Sequence, residues 1–302
     1  MPNTLAHLGV QALLGRTVQP QADMKWILLG CVLPDLPWII QTVGRSDFVS
    51  VNLIDLRLYA LVQSSLLFCL ILAVGVALVS RTPLRTFGTL AFAAVLHLLL
   101  DATQTKWGNG IFLVAPFDWT MLNFGWIWPE DWPSYALTVF GLVTLIILWW
   151  RVGPAPLQIS RPPTARLCLS TVIIGLWIIG PLPFMTEAEA RNLHNTQVLR
   201  SVDMREGVAF TADRNLVVNQ PDGTVVLHSW AGEVFELQGE IPEGSTVISL
   251  QGEFIGADTV EVHAAHPHQD GPREWFSYLG LISVMAWWGH ALWRGKKWSR
   301  IS

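Results

Sequence analysis

Five stretches of this chain, 58–80, 86–102, 135–150, 166–184 and 276–293, are apolar over lengths that span or nearly span a bilayer. Soluble domains carry about a quarter charged residues. Here only 14% are charged, 51% are hydrophobic and the mean hydropathy is +0.41. The pattern reads as an α-helical integral membrane bundle of about five spans. A sixth stretch, 26–42, is apolar but interrupted by Pro34, Asp35 and Pro37. Irregular backbone at membrane depth is tolerated where it lines a cavity, so this stretch is expected to be half-inserted. A shorter helix over 4–15, capped by Asn3 or Thr4, would accompany it. Both are expected to pack against the outer end of 86–102. No basic region followed by an apolar core opens the chain, so no cleavable signal peptide is expected. Cys31, Cys69 and Cys168 lie in apolar segments without metal-type spacing and read as small buried residues.

Basic residues set the expected orientation. Arg81 and Arg85 join the first two spans, Arg151, Arg161 and Arg166 the next two, and the chain ends in the tail RGKKWSR. All are expected on the cytoplasmic side, with the Pro-rich linker 153–163 as a turn there. The loop 103–134 and the segment 185–275 then lie outside. Short alternating runs between 185 and 275 (GVAFT, NLVVN, TVVLHSW, EVFELQG, STVISLQGEF, DTVEVHAAH), separated by PDG, EGS and GAD, read as five or six strands of a small β-barrel or sandwich, OB-like in its proportions. The expected organisation is therefore a membrane-embedded portion over 1–184, an inserted external β domain over 185–275, and a last span with a basic cytoplasmic tail over 276–302. The loop 107–134 holds Trp107, Trp119, Trp126, Trp128 and Trp132, and reads as an interfacial anchor or as a wall beside a pocket.

Four titratable groups fall inside these apolar stretches. His97 and Asp101 are four residues apart, on one face of a helix. His7 and Asp35 stand in NTLAHLGVQALLG and GCVLPDLPW. Acids in apolar spans are costly unless paired, hydrated or bound to a cation. Two imidazoles and two carboxylates make a ligand set for one divalent metal, zinc first and manganese or iron next. The alternative is polar packing, in which His97 pairs with Asp101 while His7 and Asp35 cap helix ends. His263, His266 and His268 read as a solvated loop unless Asp270 completes a set, and His290 as a packing histidine. WGNG (107–110) lacks the strand and GK[ST] of a phosphate loop. No dinucleotide fingerprint, nucleophile elbow or DNA-binding motif is present, so no nucleic-acid partner is expected.

In order, MPNTLAHLGVQALLG, GCVLPDLPW and HLLLDATQTKWGNGIFLVAPFDW resemble the YdjM-type family of inner-membrane-associated metal-dependent hydrolases, itself distantly similar to zinc-dependent phospholipase C. The resemblance covers roughly residues 1–120 and does not reach the β domain. It implies that His7, Asp35, His97 and Asp101 are metal ligands. Asp35 or Asp118 is left as the general base. The family's HRGxTHS-like element is replaced by LYALVQSS, where Gln63, Ser64 and Ser65 stand at the position of a His-Ser pair. Gln63 could then support the metal site by hydrogen bonding, or the three residues could serve helix packing. The implied function is hydrolysis of ester or phosphoester bonds in lipid or envelope-linked substrates. The site and β domain would be external to a bacterial inner membrane, with membrane lipids and an envelope protein as partners. The rival is a non-catalytic scaffold that keeps the hydrolase fold and binds an envelope partner through the β domain. A transporter ranks last, because no inverted repeat is visible.

Overall fold

A computed structural model of the chain describes residues 3–44, 51–156, 162–269 and 273–298. Arg161, Asp270 and the end of the basic tail lie outside the described residues. Helix α1 spans Thr4–Val18, and the Asn3 side chain caps it by accepting from the Ala6 amide. Next come α2 (Met24–Val32), a single 3-10 turn (Leu33–Asp35) and α3 (Leu36–Gly44). Proline lacks the amide hydrogen a helix interior needs, and Pro34 and Pro37 interrupt the apolar stretch 26–42 at this turn.

The expected span 58–80 is two helices, α4 (Leu53–Gln63) and α5 (Leu66–Leu78), bent by 70°. The bend falls at the serine pair. Ser65 adopts an extended conformation (ψ 158°), and the Ser64 hydroxyl donates back to the Leu61 carbonyl. Beyond it run α6 (Pro83–Ala102), α7 (Trp132–Arg151) and α8 (Thr164–Ile179). Among the described residues, three segments are long and apolar enough to cross a membrane: α6, α7 and the stretch Thr164–Ala190. The bent pair α4–α5 would make a fourth. Val139, Ile146 and Ile147 on α7, and Val172, Ile178 and Ile179 on α8, are exposed apolar side chains suited to lipid contact.

The segment 185–275 opens, ahead of the expected strand runs, with short helices, α9 (Met185–Ala190) and α10 (Thr196–Arg200), which pack against α4. Asn192, His194 and Asn195 between them hold positive φ. Strands β1 (Ala209–Asn219), β2 (Val225–His228), β3 (Val234–Gly239), β4 (Val247–Phe254) and β5 (Thr259–His268) then close a barrel, not a sandwich. Its order is β1-β2-β3-β5-β4, antiparallel except where β3 meets β5. Phe210, Phe235 and Phe254 fill the barrel. The buried Arg205 guanidinium lies over Phe235 and Phe254 and pairs with Glu233 and Asp258. Helix α11 (Arg273–Trp298) covers the last apolar stretch and returns to pack on α1 and α2.

Helix α1 is central to the bundle, touching α2, α6, α7 and α11. Close approach is possible because glycine faces glycine. A Cβ on Gly141 of α7 would sit 2.1 Å from the Leu5 carbonyl oxygen, and one on Gly9 would sit 2.2 Å from the Gly141 Cα. Small residues permit such backbone contacts between membrane helices. Gly141→Val should therefore lower the thermal unfolding midpoint of the detergent-purified protein, by at least the about 1–3 kcal/mol typical of overpacking. Gly88→Ala, where the added methyl group meets nothing within 4 Å, should leave the midpoint unchanged or raise it.

Candidate metal centre

Three elements bring these titratable groups together. His7 comes from α1, Asp35 from the Leu33–Asp35 turn, and His97 and Asp101 from successive turns of α6. Gly30 lets α2 lie against Leu90 and Ala93 of α6, so the turn after α2 arrives beside His97. His7 Nε2 lies 3.1 Å from Asp101 Oδ1. His97 Nε2 lies 3.4 Å from Asp35 Oδ1 and 3.6 Å from Asp101 Oδ2. The two imidazoles stack with centroids 4.0 Å apart and planes 16° from parallel. His7, His97 and Asp101 are buried, while the Asp35 side chain is 14% exposed. The Cys31 thiol also lies against His97.

This cluster leaves polar atoms unpaired. His7 Nδ1 and His97 Nδ1 are buried without a partner, and His97 Nε2 and Asp35 Oδ1 have nothing closer than their mutual contact at 3.4 Å. Buried polar atoms normally find partners, and each orphan costs about 1–3 kcal/mol. A divalent ion would satisfy several at once. His7, His97 and Asp101 each offer a ligand atom within 4.8 Å of the others, and Asp35 adjoins through His97. Two imidazoles with two carboxylates suit zinc, and manganese or iron next. The donor set fits such an ion.

The two other residues singled out for this site stand elsewhere. Gln63 donates to the Tyr59 hydroxyl (2.9 Å) and to the Trp177 carbonyl (3.1 Å), so its amide ties α4 to α8. Asp118 is exposed and accepts from the Thr120 amide and hydroxyl in a local turn, and these bonds hold its carboxyl below the usual range. A carboxylate that can cap its own turn has no need of a distant partner.

A second group of potential ligands was not legible as a set, because its members are distant in sequence. Glu130, from the loop after α6, meets His266 and His268 of β5, all offering ligand atoms within 4.8 Å. This replaces the solvated-loop reading for His266 and His268, while His263 stays exposed. Here Glu130 Oε1 and both His268 ring nitrogens already have partners. Glu130 Oε1 accepts from His268 Nδ1 at 2.7 Å and from Arg214 Nη1 at 2.8 Å. His268 Nε2 lies 2.7 Å from the Ser249 hydroxyl, and the Trp128 ring stacks on His266 at 3.7 Å. A guanidinium so close disfavours a second cation, so the arrangement acts as an ionic latch between loop and barrel. A register shift in β1 between Ala212 and Asn215, with Arg214 at φ 57°, aims Arg214 at the loop. Asn109 completes the contact by donating to Asp213.

Between the latch and the metal cluster lies a cavity of about 250 Å³, with Asp101 and Asp213 in its wall beside Arg57, Lys106, Arg214 and Arg273. Four separate segments supply these cations, and no local pattern announces them. The loop 107–134 is thus a wall of this cavity through Asn109 to Phe112, and also an aromatic surface, with Phe117, Trp126 and Trp132 exposed. A larger cavity, about 640 Å³, lies at the opposite end of α6 beside Thr86 and Arg85, away from the cluster. Comparisons with protein-family models, curated proteins and solved structures give no match to this chain.

The latch has a defined acid limit. Burial pushes the Glu130 carboxyl up, but the hydrogen bond and charge of His268, together with Arg214, outweigh it and hold the group at about 2 rather than 4.5. A carboxyl depressed by folding stabilises the fold fully above its unfolded value and loses that contribution as the pH falls through the folded one. The melting temperature should therefore decline between pH of about 4.5 and about 2. In Glu130→Gln, differential scanning fluorimetry should show a lower melting temperature at neutral pH and a shallower decline over that interval.

Proposed function

We propose that this chain is a membrane-bound, metal-dependent hydrolase of the YdjM type, acting on ester or phosphoester bonds of lipid or envelope-linked substrates. The observation that supports it is the meeting of His7, Asp35, His97 and Asp101 from three elements, with buried ring nitrogens left unpaired. In this reading the four side chains hold one divalent ion, zinc first and manganese or iron next. When bound, such an ion supplies Lewis acidity and brings the pKa of a water towards neutrality. Asp101, buried between both imidazoles, orients them. Asp35 is the more exposed of the two carboxylates and is the group we assign as general base.

The membrane arrangement belongs to the same proposal. α6, α7 and Thr164–Ala190 are joined by the bent pair α4–α5 and by α11 to make about five spans. The basic loops at Arg81–Arg85 and Arg151–Arg166 face the cytoplasm, with the metal cluster and barrel on the outer face of a bacterial inner membrane. The barrel, covering the Asp101 end of α6, would take an envelope protein as partner. A non-catalytic scaffold is the second reading. It is favoured by Gln63, whose amide donors go to Tyr59 and Trp177 where the family carries a histidine near its metal.

Elemental analysis of the detergent-purified protein, with His97→Ala beside it, separates the two. The hydrolase reading expects one equivalent of metal, weakened more than about 100-fold in the variant, since even outer partners of ligands are worth 10–100-fold. It also expects chelator-sensitive cleavage of nitrophenyl esters or phosphodiesters. No metal in either protein, with an unchanged melting temperature in His97→Ala, would establish the scaffold instead.

A further inference from the structure

More cationic than anionic side chains line the cavity beside Asp101. Arg57, Lys106, Arg214 and Arg273 face two carboxylates, Asp101 and Asp213. Arg214 is partly compensated by Glu130, and Arg273 lies 3.7 Å from Glu274. Arg57 donates to His194 Nδ1 and lies over the Trp38 and Trp230 rings. Lys106 differs. It is 6% exposed, lines the cavity, and its ammonium has no hydrogen bond or ion pair among the described residues. Its charge acts on Asp101 in the same wall, but that carboxylate is already shared between His7 and His97, so the ammonium can still take a second anion. The surroundings register the same excess. Burial and the adjoining Arg214 push the Arg273 guanidinium below its ordinary value. Burial, with the charges of Arg57 and Lys106, pushes the His194 imidazole well down.

We propose that this cavity is a phosphate subsite, in which Lys106 with Arg57, Arg214 and Arg273 holds the phosphoryl oxygens of a substrate whose phosphoester bond is turned towards Asp101. Guanidinium forks and a compact ammonium are the side chains that recognise phosphate. The cavity volume of about 250 Å³ suits a headgroup rather than a whole lipid. Exposed Phe117, Trp126 and Trp132 on the adjoining loop place the opening where lipid headgroups would lie. The substrate class is therefore a phosphate-bearing lipid headgroup, rather than a neutral carboxylic ester. The inference deepens the hydrolase proposal and rests on it for the reaction at Asp101, but not for binding of the anion.

The test measures binding, so it does not depend on turnover. Full-length protein in detergent, both chelator-treated and zinc-loaded, is titrated calorimetrically with inorganic phosphate, dihexanoylphosphatidylglycerol and neutral dihexanoylglycerol. Both phosphate compounds should bind and the neutral lipid should not. Lys106→Gln should weaken them by about tenfold or more, the loss of one charge-assisted hydrogen bond. Lys106→Arg should retain binding, and Arg151→Gln, on the exposed end of α7, should match the parent. Binding of the phosphatidylglycerol much more tightly than inorganic phosphate would identify the lipid as the source of the group. Failure of both phosphate probes at millimolar concentration, or equal affinity in folded Lys106→Gln, overturns the subsite. Zinc uptake without phosphate binding would sink this inference alone. Phosphate binding without zinc uptake would sink the hydrolase reading and leave the subsite standing.

Discussion

The meeting of two imidazoles and two carboxylates between helices, all but Asp35 fully buried, is the constraint on which the rest of this structure turns. Each group would be far better solvated in water, so the helices that carry them must stay in register or leave charge stranded in an apolar setting. His7 and Asp101 pin α1 to α6, while Asp35 and His97 pin the turn after α2 to the same helix. Gly9 and Gly141 then allow α7 to close over α1 with backbone almost touching backbone. Close packing and costly polar burial reinforce each other, because neither survives a shift of the other by a helical turn.

The barrel extends this logic outwards. It does not stand apart on a linker. The bulge of β1 and the end of β5 grip Glu130 through Arg214 and His268, while Asn109 holds Asp213. The loop gripped in this way follows directly from Asp101, so the barrel and the buried cluster share one piece of backbone. The cationic cavity is enclosed by this union. Its charges come from α4, the loop, β1 and the start of α11. A site assembled from two units can enclose a deep, charged chamber without opening the bundle itself.

The chain's local chemistry already disclosed much of this. Apolar runs long enough to span, Pro34 and Pro37 breaking a helix, Asn3 capping another, and alternation marking short strands all depend on neighbours in sequence, and are legible for that reason. His7, Asp35, His97 and Asp101 could be singled out too, because a polar group within an apolar run stands out wherever it is. Tertiary structure alone decided the bend at Ser64–Ser65, the helical opening of 185–204, the closure of the barrel and the partners of Gln63 and Asp118. It alone brought Glu130 to His266 and His268, and Lys106 to three distant arginines. Exposed loops and strand ends are normally rich in charge, so a charged residue there carries no sign of its partner until the fold encloses it.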